Sequence, residues 1–264
     1  MASAPEYYDV TVGKIQDFGN DTRDFELRFE PGKRMPFIAG QFVSVVLPKD
    51  KVTPPSAAGP KGPLSSKGAA SPPAAGGGVI RRAYSIASPP EQRECLNLII
   101  KLVQGGVVTA WFWTLKPGDR FKVHGPFGKF ILPDRLDFEP VFIATGTGIA
   151  PFRSMIHSLL RGGYGGKLSL IFGTRYDTMI PYHREWLDFA ARHPNFTYIP
   201  TISRPGPEWK GETGYAQAKA EKFLSNPAGK KVYICGLNEM IQAVQEACLK
   251  AGFRKDQISY EKYD

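Results

Sequence analysis

The chain has 264 residues, 42% of them hydrophobic, three cysteines and a net charge of +9. That length suits two domains of ordinary size, and no apolar run reaches the roughly eighteen residues that a membrane-spanning helix needs. Cys95, Cys235 and Cys248 are too few and too scattered for a disulfide framework or a four-thiolate iron–sulfur site, so any redox metal belongs to a partner.

The start, MASAPEYYDV, has no basic segment followed by an apolar block, which predicts no secretory leader and a cytoplasmic protein. Lys and Arg are spread along the chain, so the positive charge suits an anionic cofactor, an acidic protein or nucleic acid without choosing among them. Three strand-like segments come first, YYDVTVGKIQDF, TRDFELRFE and GQFVSVVLP, separated by Gly, Asn, Asp and Pro turn signals. From Lys49 to Gly78 about three quarters of the residues are Pro, Ala, Gly or Ser, a composition that buries too little apolar surface to offset ordering. This predicts a disordered insertion between two strands of one domain, in preference to an interdomain linker.

Strand-like sequence resumes at Val79 and runs into Arg81-Arg82-Ala83-Tyr84-Ser85. Alternation puts Arg82 and Tyr84 on one face and turns Ser85 to the other. A guanidinium pairs with pyrophosphate oxygens, a phenol ring lies against a flat heterocycle, and a hydroxyl bonds a ring nitrogen, a set that suits a flavin. A half-buried strand with a basic edge accounts for the same residues. CLNLIIKLV reads as a strand buried on both sides, and Gln104-Gly105-Gly106-Val107-Val108-Thr109 as a Gly-rich turn into a helix start at Thr109. Trp111 and Trp113 read as core. RFKVHGPFGKFIL reads as two strand-like runs joined by a tight turn at Gly125-Pro126-Phe127-Gly128. His124 has no second ligand at metal-binding spacing, so no metal site is expected.

From Pro140 short apolar strands, VFIAT, KLSLIFG, FTYIPT, KVYICG and QISYE, alternate with helices expected near 149–161, 182–192, 214–224 and 237–251. That rhythm predicts a five-stranded parallel sheet with ligands beyond the carboxyl ends of its strands. Thr145-Gly146-Thr147-Gly148-Ile149-Ala150-Pro151 opens the first helix and fits a pyrophosphate. Past the second strand lies Arg175. Ser203 and Arg204, at the end of the third, fit a phosphate monoester, and Lys210, Tyr215 and Gln217 follow, with Tyr215 placed to stack on adenine. Cys235 beside Gly236 leaves room for a flat ring.

The strings carrying Arg82, Tyr84 and Ser85 and the full ATGTGIAPFRS resemble those of the plant-type ferredoxin-NADP reductase family, and five motifs recur in that family's order. The resemblance implies a two-domain α+β protein: an antiparallel β-barrel FAD-binding domain, 1–137, then an NADP-binding α/β domain with a parallel sheet, 138–264. It implies that Arg82, with Gly105, Gly106, Val107, Val108 and Thr109, holds the FAD pyrophosphate, that Tyr84 stacks on the flavin, and that Ser85 bonds near flavin N5. Thr145, Gly146, Thr147, Gly148 and Pro151 are implied to bind NADP, together with Arg175, Ser203, Arg204, Lys210, Tyr215, Gln217 and Gly236. Lys210 stands in for the family lysine, whose place is taken by Thr213. Cys235 lies next to the nicotinamide by the same resemblance, Tyr263 covers the flavin, and Glu261 is linked to proton delivery, so Ser85, Cys235, Glu261 and Tyr263 form the implied catalytic set; Asp264 extends past the family's usual terminus. The implied activity moves hydride between NADP(H) and FAD and single electrons between FAD and an acidic carrier, ferredoxin or flavodoxin. A monomer is expected, with no nucleic-acid partner and no integral membrane segment. The reductase component of an oxygenase, or a flavin or quinone reductase, is the alternative on the same two domains.

Overall fold

A computed structural model describes residues 4–49 and 78–263. The expected disorder of the Pro/Ala/Gly-rich segment therefore falls outside the described residues.

The first lobe is one antiparallel sheet of six strands, β1 (Glu6–Phe18), β2 (Thr22–Phe29), β3 (Phe42–Pro48), β4 (Val79–Ser85), β5 (Cys95–Lys101) and β6 (Arg120–Phe127), in the order β4-β3-β6-β1-β2-β5. Alternation builds its interior. Val10, Val12, Phe25, Leu27, Val43 and Val45 point inward and are buried, while intervening residues such as Tyr7 and Asp9 face out. An antiparallel bridge between Ile86 and Leu98 joins the two edge strands and closes the sheet into a barrel. Pro48 pairs with Val79, and the Lys49 N–H donates to the Gly78 carbonyl at 3.1 Å, so the chain between them links neighbouring strands of one sheet.

Two local expectations are corrected. Gly125-Pro126-Phe127 is not a turn: Gly125 pairs with Glu6 and Phe127 with Phe42, so β6 runs through it. A register shift accommodates the proline, Gly125 and Pro126 of β6 standing opposite the single β3 residue Val43 between Phe42 and Ser44, and the run from Lys129 to Leu132 joins no strand. The helix expected at Thr109 begins two residues earlier, as α1 (Val107–Phe112), and Trp111 and Trp113 pack against the barrel core.

The second lobe is a parallel sheet of β7 (Glu139–Thr145), β8 (Leu168–Thr174), β9 (Phe196–Ile202), β10 (Glu212–Thr213), β11 (Lys230–Gly236) and β12 (Ile258–Lys262), in the order β10-β9-β8-β7-β11-β12. The sixth strand, β10, is two residues long and too short to show a periodic pattern. Helices α2 (Ile149–Arg161), α3 (His183–Arg192), α4 (Ala216–Leu224) and α5 (Asn238–Lys250) cover both faces. Val141 and Ile143 enter the core under α4 and α5, whereas Phe142 and Ala144 enter the one under α2 and α3. The latter core also takes in Ala39, Ala87 and Ile99 of the barrel, which unites the lobes. Chain order reverses between β7 and β11, so their carboxyl ends border the crevice where such sheets bind ligands.

Candidate active site

The carboxyl ends of β7, β11 and β12 meet the end of β4. Ser85 is buried, and its Oγ donates to Glu261 Oε2 at 3.1 Å. Glu261 stands beside Cys235 in the parallel register of β11 and β12. Burial raises the Glu261 pKa, and the Ser85 hydrogen bond opposes that rise. Cys235 is fully buried, and burial first, then the Glu261 charge, pushes its thiol well above the ordinary range. Its ground form is a neutral thiol. Tyr263 follows β12, its N–H reaching the Gly236 carbonyl at 3.3 Å. Its hydroxyl is buried near Ser85 and Cys235, yet finds no partner at full hydrogen-bonding geometry. Cys248 is as buried as Cys235, so burial does not separate the two thiols; the company of Glu261 and Tyr263 does.

Two glycines permit this convergence by packing. A side chain at Gly148 would place Cβ 2.3 Å from the Cys235 carbonyl oxygen, and one at Gly236 would meet Thr145 Oγ1 at 2.2 Å. The nucleotide turn and the end of β11 thus lie backbone to backbone, and Thr145 Oγ1 accepts the Leu237 N–H at 3.2 Å. Gly146 faces open space and, with Thr147 beside it, is the approachable part of the turn. Pro151 is buried in the first turn of α2, where its missing N–H leaves no bond unmade, so it shapes the helix start from inside.

On the barrel side Tyr84 lies edge-on to Phe112 at 5.4 Å, and burial pushes its phenol up to about 12, so it stays neutral. Arg82 is exposed, with one Nη1 bond to the Arg81 carbonyl at 2.9 Å. No side chain caps α1, Gly105 has φ of +74° with open space around it, and Val108 is a core residue. Thr109 differs from expectation. Its hydroxyl accepts the Val103 N–H at 3.1 Å and donates to the Gly106 carbonyl at 3.0 Å, so it braces the turn and does not cap the backbone N–H groups at the start of α1. A guanidinium, uncapped N–H groups and a neutral phenol fit a flavin dinucleotide.

At the far end of the crevice the Arg204 N–H bonds the Arg175 carbonyl at 2.8 Å, and the Ser203 N–H bonds the Thr174 carbonyl at 3.1 Å, which sets both guanidinium-bearing residues on adjacent strand ends. Arg175, Arg204 and Lys210 are exposed, and among the described residues no ion pair engages them. Tyr215 is 67% exposed at the N-cap of α4, one residue before Ala216 and two before Gln217. Free cations beside an exposed ring fit a phosphorylated adenosine. Trp209, which no sequence motif marks, anchors this loop: its Nε1 donates to the Glu212 carbonyl at 2.9 Å, and Glu212 pairs with Lys219 at 2.7 Å.

Equally unmarked by any motif is a buried polar cluster between the lobes. Arg153 of α2 bonds Glu185 of α3 and the Ala87 carbonyl, His157 bonds Glu185, and Arg153 lies 4.1 Å over the ring of Tyr182. Burial lowers the His157 pKa, so the ring is neutral and donates through Nε2. Asp24 of β2 faces the cluster, accepts from Asn97 Nδ2 at 2.9 Å, and is raised by burial to about 6. Its Oδ1 and the Tyr182 hydroxyl are near enough to influence one another, though neither is bonded at full geometry. Tyr182 adopts φ of +56°, the one non-glycine residue in the left-handed region among the described residues.

Residues 142–246 match the oxidoreductase NAD-binding domain family, and residues 72–131 match the oxidoreductase FAD-binding domain family. The chain is 33% identical to ferredoxin–NADP reductase B of Sorangium cellulosum, over 98% of each chain. It is 29% identical to the reductase component of phenol 2-monooxygenase from a Pseudomonas species across 98% of this chain, which spans 66% of that relative. The cytochrome P450 reductase of Amycolatopsis superposes with a TM-score of 0.79 at 25% identity, over 98% of this chain and 70% of that one. A ferredoxin NADP+ reductase from Neisseria gonorrhoeae, solved with FAD and NADP, superposes at 0.73 with 21% identity, over 97% and 98%. With a full-length relative at one-third identity, both domain families matched in order, and a barrel followed by a parallel sheet, the chain belongs to the ferredoxin–NADP reductase family of FAD- and NAD(P)-binding oxidoreductases.

Proposed function

We propose that this enzyme takes hydride from NADPH and passes electrons one at a time to a small acidic carrier protein. The flavin lobe is 1–137 and the nucleotide lobe 138–264, and the protein works as a cytoplasmic monomer. The observation that carries this reading is the hydrogen bond from Ser85 of the flavin strand to Glu261 at the end of the nucleotide sheet, with Cys235 and Tyr263 beside it. Bound FAD supplies the two-electron to one-electron conversion, which no side chain can perform. The chain supplies placement. Arg82 and the α1 turn hold a pyrophosphate, Tyr84 and Tyr263 provide flat surfaces, and Ser85 holds a hydroxyl at the reacting edge. Arg175, Arg204 and Lys210 receive the phosphate that distinguishes NADPH from NADH. Glu261, partly buried and raised in pKa, holds an exchangeable proton next to Ser85.

The net charge of +9 favours an acidic partner, whose approach it accelerates. No helix among the described residues is long and apolar enough to cross a membrane. Two similarities favour a second reading, electron delivery to an oxygenase or a quinone. One is to the phenol 2-monooxygenase reductase; the other, at 34% identity over 70% of this chain, is to a component of the Na(+)-translocating NADH-quinone reductase from Actinobacillus succinogenes, about half of whose length is matched. Steady-state turnover of NADPH against NADH with ferredoxin, flavodoxin and quinone acceptors separates these. Preference for NADPH with a protein carrier is expected, and faster turnover with NADH and quinone overturns the first reading.

A further inference from the structure

The nucleotide turn and the flavin strand are joined at a second place, behind the Ser85–Glu261 contact. Arg153, in the second turn of α2, donates Nη1 to the Ala87 carbonyl at 3.1 Å. Ala87 follows Ser85 by two residues, is fully buried, and lies in the core that the two lobes share. The other edge of the guanidinium is clamped by Glu185, Nε to Oε1 and Nη2 to Oε2, each at 3.0 Å. Its side chain is 12% exposed, its face covers Tyr182 at 4.1 Å, and the buried carboxyl of Asp24, from the barrel, lies within Coulombic range.

Burying a cation this deeply is unfavourable unless its donors are paired, and a planar fork paired on two edges fixes angle as well as distance. The lobes already share an apolar core, but apolar packing is non-directional and does not by itself fix the angle at the Ser85 strand end. A paired guanidinium fork on the Ala87 carbonyl, two residues from the Ser85–Glu261 bond, adds that directional constraint. We propose that Arg153 is a positioning residue for hydride transfer: it locks the helix that carries the nucleotide turn onto the strand end that carries Ser85, and so sets how nicotinamide and flavin approach.

This inference rests on the NADPH- and FAD-linked reading above. Three variants of the FAD-loaded full chain test it. Arg153→Gln removes charge and fork, Arg153→Lys keeps the charge alone, and Glu185→Gln keeps the arginine but loosens its clamp. Flavin reduction at saturating NADPH should slow roughly ten- to a hundredfold in Arg153→Gln, less in Arg153→Lys and least in Glu185→Gln, because small misplacement of reacting atoms carries a large rate penalty. KM for NADPH and FAD content should stay within about twofold of wild type. Amide hydrogen exchange should quicken at Ala87 and Ser88 and in the first turns of α2. Lowered thermal midpoints with unchanged reduction rates mark a merely structural residue, and raised KM with unchanged rate marks a binding one; either result overturns the proposal. Should Arg153→Gln fail to fold, Glu185→Gln decides alone, and wild-type reduction rate and exchange in that variant overturn it. If the wild-type protein does not oxidise NADPH, the functional reading falls instead, and the exchange comparison still tests the joint.

Discussion

Ser85 Oγ donates to Glu261 Oε2 at 3.1 Å, across the junction of a barrel strand and the last strand of the parallel sheet. This bond lowers a carboxyl pKa that burial raises. Ser85→Ala should therefore slow flavin reduction by about ten- to a hundredfold, or roughly 1.4 to 2.7 kcal/mol in barrier. With the bond gone the Glu261 pKa rises further, so the alkaline limb of the pH–rate profile, where Glu261 gives up its proton, should move to higher pH. Glu261→Gln should flatten that limb. Stopped-flow reduction between pH 5 and 9 measures both, and an unmoved profile in Ser85→Ala separates the two groups functionally.

Asp24 gives a stability test with a definite sign. Its folded pKa, raised by burial to about 6, lies above the value of an unfolded carboxyl, so the folded protein binds this proton more tightly. The contribution is fully present below about pH 4 and lost as pH rises through about 6, a difference on the order of 2–3 kcal/mol. Asp24→Asn stays neutral throughout. It should be more stable than wild type at pH 8, with the gap closing toward pH 5. Thermal unfolding across that range measures it, and a parallel offset at every pH would assign Asp24 an ionised role in the fold.

Both lobes are readable in the sequence because their periods differ. The alternation of β1 to β3 and the apolar blocks of β7, β8, β9 and β11 are local signals, and α2 falls at Ile149–Arg161 as its apolar spacing requires. The strand through Pro126 is not readable, since a bulge against Phe42 and Ser44 is decided by the partner strand. Thr109 misleads for a related reason: its hydroxyl has a nearby loop to bond, and only the folded turn shows which partner it takes. Arg153 sits inside the string ATGTGIAPFRS, but its bond to Ala87 joins residues 66 apart in the chain and leaves no local mark.

Arg82 is exposed and has no carboxylate partner among the described residues. Under the proposed pyrophosphate role, Arg82→Ala would remove a charge-assisted contact worth about 1.5 to 3 kcal/mol and should raise the FAD dissociation constant by roughly ten- to a hundred-and-fifty-fold. Fold stability of the apoprotein should stay within about 0.5 kcal/mol, because an exposed side chain with one local bond holds little structure. Flavin retention after dilution and desalting measures the first, and unaltered retention removes Arg82 from the site.

Coenzyme choice tests the far end of the crevice. Arg204 and Arg175 are tied through their backbones at 2.8 Å, so under the proposed assignment a phosphate bound at that strand end would meet two guanidinium groups, with Lys210 on the following loop. NADPH carries that phosphate and NADH does not. Arg204→Ala should weaken NADPH by about ten- to a hundred-and-fifty-fold, the effect of one charged hydrogen bond, and leave NADH nearly unchanged. Arg175→Ala should act in the same direction. Lys210→Ala should do so to a smaller extent, since Lys is a flexible point charge on a loop held by Trp209 and Glu212. Tyr215→Ala removes a ring that is 67% exposed and free to stack on adenine, which both coenzymes possess, so both should weaken together. Trp209→Phe keeps the aromatic packing but loses the bond to the Glu212 carbonyl, and it should lower NADPH selectivity only through Lys210. Its effect should therefore vanish in the Lys210→Ala background. Values of kcat/KM for both coenzymes across these variants decide the assignment. Equal losses for NADPH and NADH in Arg204→Ala would place that residue outside the phosphate site and leave the choice between the two coenzymes to Arg175 and Lys210.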